Sequence, residues 1–245
     1  TRTARGRNFF FYSTFGLVLL VIGSALLLSP AIAAAAWSVL AIAMAWFSGR
    51  YGRVALSLQC TFLLLAAGIS SGILQTGWLA LAGDAISWPA LVPWHIVIAL
   101  TTMACLFIPV AQHSERWGTL AGLPQLIVLA LSVWEVGGLI VAYAAPLLAD
   151  AGTPEADAAV LAALRTAVLS AASVTLALSS CHKRWPEARW LVYPVLVLVG
   201  VKLFLEDFPN GQPVTLFVAL ALVGSALIIV AKLLRRGGVG EDTVT

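Results

Sequence analysis

Residues 158–180 read AAVLAALRTAVLSAASVTLALSS, an apolar stretch in which Arg165 is the single charged residue. A helix needs about 20 apolar residues to cross the hydrocarbon core of a bilayer, and this stretch is long enough. Small side chains recur along it in alternating steps of three and four, which predicts one continuous stripe on a helix face. Because small side chains let helix backbones approach closely in lipid, we expect the stripe to pack against another helix. Its members are Ala163, Thr166, Ser170, Ser173 and Ala177.

The composition of the whole chain indicates a membrane protein. Of the 245 residues, 61% are hydrophobic and only 10% are charged. Soluble domains carry about a quarter charged residues, so this chain has too little polar surface to cover a soluble globule. The composition therefore excludes a soluble enzyme, a disordered tail and a nucleic-acid-binding module. The expected partners are membrane lipids and other integral membrane subunits, with no nucleic acid.

Breaks in the hydropathy divide the chain into eight predicted transmembrane helices within a single transmembrane domain, residues 1–245. The fold class is therefore all-α, a polytopic integral membrane helix bundle. The longest connection on the predicted outer side, Gln75–His95, contains three Trp residues and is predicted to lie along the membrane interface. The predicted spans are Phe9–Leu28, Ala31–Phe47, Val54–Leu74, Leu91–Val110, Gln125–Leu148, Ala158–Ser180, Trp190–Leu205 and Val214–Leu234.

The positions of the basic residues predict the orientation of the chain. Except for Arg165 and Lys202, every basic residue lies at a terminus or beside a connection that follows an even-numbered span. The opposite connections carry acidic residues, such as Asp84 and Asp150. Because basic residues are enriched on the cytoplasmic side, we predict that both termini are cytoplasmic.

The two halves of the chain show a weak similarity. An Ala/Ser-rich span, a basic loop and another span follow one another in residues 1–111 and again in residues 125–236. This order is compatible with a parallel duplication, which recurs among transporters. The alternative is that any two membrane hairpins with basic cytoplasmic loops look alike.

Five ionisable residues lie inside the predicted spans or at their outer ends. A charge at the bilayer centre costs at least about 2.5–3.5 kcal/mol, so such residues are candidates for a functional site. The three nearest the outer surface on the seventh span have a simpler explanation as well, since residues four apart can pair on one helix face and long side chains can extend to the headgroups. Arg165 has the same alternative. The intramembrane polar candidates are Glu135, Arg165, Lys202, Glu206 and Asp207.

Glu135 is the deepest of these residues, near the middle of the fifth span. Its carboxyl group is protonated through desolvation, paired with Arg165 or another span, or exposed to water in a cavity. Three roles stay open: an interhelical hydrogen-bond donor, part of a proton or substrate relay, or a contact with a partner subunit.

Other chemistry has little support in the sequence. No two histidines are predicted to face each other at mid-membrane depth, as a membrane-embedded haem would require. The sequence also has no CxxC pair, no phosphate-binding glycine loop and no HExxH or GxSxG motif. We therefore predict no catalytic residue, no metal and no cofactor, with bound lipids as the expected ligands. Cys60, Cys105 and Cys181 are predicted to be reduced, buried and inert thiols.

The C-terminal third of the chain resembles a bacterial family of uncharacterised polytopic membrane proteins, the domain of unknown function numbered 2339 in its series. The resemblance implies a multi-pass protein of the bacterial inner membrane with a Lys–acid motif, and it implies no particular reaction. It rests on Arg165-Thr166-Ala167, Lys202-Leu203-Phe204-Leu205-Glu206-Asp207, Gly211-Gln212-Pro213, Thr215-Leu216-Phe217 and Leu233-Leu234-Arg235-Arg236.

The short loops, the packing stripe and the sparse intramembrane charge favour a non-enzymatic integral membrane subunit that packs into a larger membrane-protein complex. The second hypothesis is a small-solute, ion or lipid transporter that uses Glu135 with Arg165 and Lys202. A membrane transferase acting at the outer leaflet through Glu206 and Asp207 is the third.

Overall fold

The chain is all-α wherever its structure is described. The computed structural model describes residues 2–82, 92–108, 122–148, 154–181, 185, 187–210 and 213–238, with the backbone alone for residues 2–10, 154–157, 210 and 236–238. Every regular element in these ranges is helical, which confirms the predicted fold class. The helices are α1 (Arg2–Leu27), α2 (Pro30–Tyr51), α3 (Val54–Ser71), α4 (Ile73–Ala82), α5 (Pro93–Phe107), α6 (Leu123–Leu148), α7 (Pro154–Ser180), α8 (Ala188–Lys202), α9 (Phe208–Asn210) and α10 (Pro213–Gly238), with a π-helical segment, Leu203–Asp207, between α8 and α9.

Six helices within the described ranges are long and apolar enough to cross a membrane. These lengths support the prediction of a polytopic membrane protein, since each helix reaches about the number of residues that a bilayer requires. The count of eight spans stays a prediction. The six segments are Pro30–Tyr51, Val54–Ser71, Leu123–Leu148, Ala158–Ser180, Ala188–Asp207 and Pro213–Arg235.

The predicted first and fourth spans fall in shorter apolar helices. The apolar part of α1 with described side chains runs from Phe11 to Leu27. Helix α5 has 15 residues, which corresponds to about 22 Å of helical rise against a hydrocarbon core of about 30 Å. Its end at Phe107 has a local cause, because Ile108 precedes a proline and adopts the extended conformation that such a position favours.

The predicted third span differs from the structure at its outer end. Helix α3 stops at Ser71, and Gly72 adopts a left-handed conformation with φ 79°, which glycine tolerates without steric cost. A separate helix, α4, then covers part of the connection that was predicted to lie along the interface. Its Ala80 and Leu81 are buried in a hydrophobic core, so this part of the connection packs on other helices. Its position along the interface stays a prediction, and residues 83–91 lie outside the described ranges.

The chain divides into two compact units. The first comprises Thr1–Gln75 and Val92–Ser132, and the second comprises Thr76–Leu91 and Val133–Thr245, so α4 and α6 each contribute to both. In the first unit, α2 and α3 form a hairpin across a two-residue connection. The buried face of α2 is made of small residues with one large ring, Ala33, Trp37, Ala41 and Ala45 among them.

Polar side chains also join helices within the first unit. The indole N–H of Trp37 on α2 donates to the hydroxyl of Ser24 on α1 over 2.9 Å. The amide of Gln59 on α3 donates to the hydroxyl of Ser13 over 2.9 Å. Such interhelical bonds are worth on the order of 1 kcal/mol each in membrane proteins, so they add to the close packing rather than replace it.

The second unit is built on α7, which packs against α8 and α10. Residues 76–82 of α4 pack on α6, where a Cβ added to Gly138 would lie only 2.6 Å from the Cα of Gly77. The two backbones are therefore in direct contact, which only glycine permits. The core around this crossing is formed by Ala80, Leu81, Val141, Ala142, Ala145, Leu161, Leu169 and Val199.

Candidate functional site

The second unit contains a cluster of charged and polar side chains that joins α4, α7 and the end of α8. We call it the charged cluster. Its members are Arg165, Thr166, Lys202, Glu206 and Asp207.

Arg165 lies at the centre of the charged cluster and donates in three directions. Its Nε donates to the backbone oxygen of Ala80 over 2.6 Å, and one terminal nitrogen donates to the oxygen of Leu79 over 3.1 Å. The other terminal nitrogen forms an ion pair with Glu206. Both carbonyls belong to the last described turn of α4, Ile73–Ala82. Arg165 therefore ties α4 to the π-helical segment that carries Glu206.

Glu206 bridges the two cations of the charged cluster. One carboxylate oxygen pairs with Arg165, and the other pairs with Lys202, which lies one helical turn earlier on the same helix.

Asp207, the residue after Glu206, also points at α7. Its Oδ2 accepts a hydrogen bond from the Thr166 hydroxyl over 2.6 Å. Consecutive residues on α7 thus bind consecutive residues of the π-helical segment that follows α8. The segment that presents both acids is π-helical, with the N–H of Phe208 bonded to the oxygen of Leu203 five residues earlier. Single π turns of this kind are frequent at functional sites.

Most side chains of the charged cluster are buried within the chain. Arg165 is 3% exposed, Lys202 8% and Asp207 3%, whereas the side chain of Glu206 is 25% exposed. With both carboxyl groups ionised, two negative charges balance two positive ones. A buried pair that loses one partner is strongly destabilised, by about 3–5 kcal/mol, so each member depends on the others.

The structure places the other predicted residues elsewhere in the second unit. Glu135 is fully buried on α6, with 0% exposure, while the hydrogen bonds described for Arg165 lead to α4 and Glu206. The predicted packing stripe faces the interior of the chain, since Thr166, Ser170, Ser173 and Ala177 are buried and Ala163 is half-buried. The Ser173 hydroxyl donates to the backbone oxygen of Ser170 over 2.7 Å.

Three contributors to the charged cluster were not predicted from the sequence. The carbonyls of Leu79 and Ala80 carry no side-chain signal, and they become acceptors only because the fold places them beside Arg165 on α7. Thr166 was assigned to packing alone, although it also binds Asp207. The pair of glycines at 77 and 138 is the one sequence signal that indicates a close approach of α4 to α6.

As for other ligands, the described residues contain no group of three or more His, Cys, Asp or Glu side chains placed to hold a metal ion. The geometry of the charged cluster is that of a closed set of ion pairs and hydrogen bonds between helices. Comparison with known proteins finds no matching family, no matching curated sequence and no matching solved structure.

Proposed function

We propose that the protein is a non-enzymatic integral membrane subunit that packs into a larger membrane-protein complex, with α10 supplying the contact. We place it in the bacterial cytoplasmic membrane, with eight spans, both termini cytoplasmic and bound lipids around it. The charge pattern of the loops, the six long apolar helices and the resemblance to the uncharacterised bacterial family support this placement.

The outward face of α10 is the observation that carries the proposal. Only 17% of the apolar window of this helix is buried within the chain, against 50% for α7. Ala221, Gly224 and Ser225 lie three and four residues apart and therefore share one face. Ala221 and Ser225 are exposed, and a Cβ added to Gly224 would have nothing within 4 Å.

This face of α10 has small residues like those at the crossing of α4 and α6, but no helix of the described chain packs on it. At that crossing, Gly77 and Gly138 permit backbone contact inside the chain. Among the described residues, no atom lies within 4 Å of a Cβ added to Gly224, although glycine in a helix costs about 1 kcal/mol relative to alanine. In lipid, apolar side chains have no hydrophobic reason to associate, so a small, flat helix face is the feature that favours a second helix.

The state of the charged cluster supports the same proposal. Arg165, Lys202 and Glu206 are bound to one another and to α4, so the charges serve to hold helices together. A scaffold of this kind is suited to presenting a fixed outer surface.

Photocrosslinking in native membranes tests the proposal. A photoreactive amino acid placed at Ser225 should give a crosslinked product heavier than the 25.8 kDa chain. Gly224→Leu fills the small face and should abolish the product. Gly200→Leu is the matched control, because Gly200 on α8 is also open, with nothing within 4 Å of an added Cβ. The proposal is wrong if no product forms and the chain purifies as a monomer, or if the two variants behave alike.

A second candidate function, a small-solute, ion or lipid transporter, is favoured by the fully buried carboxyl group of Glu135 on α6. Ionisable side chains at this depth are typical of proton and solute pathways. Proton uptake into proteoliposomes, followed with an enclosed pH-sensitive dye, tests it. Glu135→Gln should abolish the uptake while Glu187→Gln, at the start of α8, leaves it unchanged. No uptake by the unaltered chain would exclude proton transport.

A further inference from the structure

Two buried cysteines of the first unit lie at the same internal cavity. Cys60 on α3 and Cys105 on α5 are each 3% exposed, and both line this cavity. Cys181, by contrast, is exposed, which corrects the prediction that all three thiols are buried. The first two cysteines are 45 residues apart in the sequence, so only the packing of α5 against α3 brings them together.

Both thiols line one internal cavity of about 20 Å³. This volume suffices for a single water molecule or an ion of similar size. The wall is mostly apolar, with a few polar groups at one side. The lining residues other than the cysteines include Ser48, Ser57, Thr61 and Gln125.

The hydroxyls at the wall are largely committed to other bonds. Ser48 donates to the backbone oxygen of Arg53 over 3.1 Å and lies 2.5 Å from the Ser57 hydroxyl. Thr61 donates to the backbone oxygen of Ser57 over 2.9 Å. The described lining offers three hydroxyl oxygens and one side-chain amide oxygen, fewer than the six or more oxygen ligands that Ca²⁺ takes. The two sulfur atoms are the distinctive ligands of this cavity.

We propose that Cys60 and Cys105 form a binding site for a soft monovalent metal ion of the Cu(I) class, held between the two sulfur atoms. Thiolates select soft ions such as Cu(I), which accepts two sulfur ligands in a linear arrangement. Structural Zn²⁺ requires four ligands, whereas this cavity offers two thiols and no His, Asp or Glu in its described lining.

Binding is an exchange of protons for the metal without a change of oxidation state. Both S–H bonds break, both protons leave to water, and two S–Cu bonds form to give a complex with one net negative charge. The amide N–H groups of Gln125 in the cavity wall are donors suited to this charge.

Copper stoichiometry of the full-length protein tests this site. The background is Cys181→Ser, which removes the exposed thiol. After anaerobic loading with Cu(I) and washing with a chromophoric Cu(I) chelator, this variant should retain about one copper per chain. In this background, Cys60→Ser and Cys105→Ser should each lower the retained copper by about tenfold or more, because only one thiolate of the site remains.

Serine is nearly the same size as cysteine, so the variants should fold, and a thermal melt in detergent checks this. The proposal is overturned if the Cys181→Ser protein with both remaining thiols free retains no copper. It is also overturned if folded Cys60→Ser or Cys105→Ser variants retain as much as the background. If Cys60 and Cys105 are found joined in a disulfide, the protein is reduced and loaded again, and failure to retain copper then overturns the proposal as well.

Discussion

The crossing of α4 and α6 makes a sharp prediction for two adjacent glycines. In Gly138→Ala, the new Cβ would lie 2.6 Å from the Cα of Gly77, and ordinary contact begins at 3.4 Å, so the helices must separate by about 0.8 Å. In Gly137→Ala, the nearest atom is Cγ1 of Val168 at 3.6 Å, an ordinary contact. The same chemical change should therefore have opposite effects at neighbouring positions.

The expected change in the free energy of unfolding depends on which atom the new Cβ contacts. A gap of 0.5–1 Å already forfeits about a quarter to a half of the dispersion energy of the atoms that it separates. Overpacking costs about 1–3 kcal/mol, and we expect the upper end for Gly138→Ala because a backbone atom cannot rotate away. Alanine in a helix gains about 1 kcal/mol over glycine. The net expectation is a loss of about 2 kcal/mol for Gly138→Ala and a gain of up to about 1 kcal/mol for Gly137→Ala.

Reversible unfolding in mixed detergent and SDS micelles, followed by tryptophan fluorescence, measures both free energies of unfolding. The refuting result is a Gly138→Ala protein as stable as Gly137→Ala, which would mean that the two backbones are not in contact.

Substitutions at three further positions test the interhelical polar contacts by the same unfolding measurement. Thr166→Val should lose about 1–2 kcal/mol because Asp207 loses a buried hydrogen-bond donor, whereas Thr166→Ser should stay close to the unaltered protein; equal effects would contradict the bond. Arg165→Lys should lose about 1–3 kcal/mol, since an ammonium group does not reproduce the planar guanidinium. Arg165→Ala should lose more, about 3–5 kcal/mol, because Glu206 loses a buried partner. An Arg165→Ala protein of unchanged stability would show that the bonds of Arg165 to α4 and Glu206 contribute nothing. Ser24→Ala should lose about 1–2 kcal/mol because the indole N–H of Trp37 loses its acceptor, and a change below about 0.3 kcal/mol would refute that contribution.

Much of the candidate site was visible in the sequence because charge is rare in this chain. Arg165, Lys202, Glu206 and Asp207 stand out among apolar residues, and the i,i+4 spacing of Lys202 and Glu206 indicates local pairing. Their grouping across α7 and α8 needed the fold, because residues 165 and 206 are 41 positions apart. The same is true of the two thiols of the first unit.

Helix boundaries were predictable where a residue imposes a backbone conformation. Pro30 and Pro93 begin α2 and α5, as expected for residues that lack the N–H that a first helical turn leaves unused. Gly72 was harder to interpret, because a glycine within an apolar run is common in membrane helices. Its left-handed conformation divides α3 from α4, and hydropathy averaged over a window does not detect a break at a single residue.

Composition alone determined that this chain is helical and apolar enough for a membrane, because backbone polar groups in lipid must bond within their own segment. The tertiary structure decided which polar groups come together: the end of α4 beside Arg165, Thr166 beside Asp207, and Cys60 at the same cavity as Cys105. The reason is that hydropathy depends on each residue separately, whereas these contacts depend on how close two helices come. That distance is set by small residues such as Gly77 and Gly138, and the sequence alone does not show which helix each of them contacts.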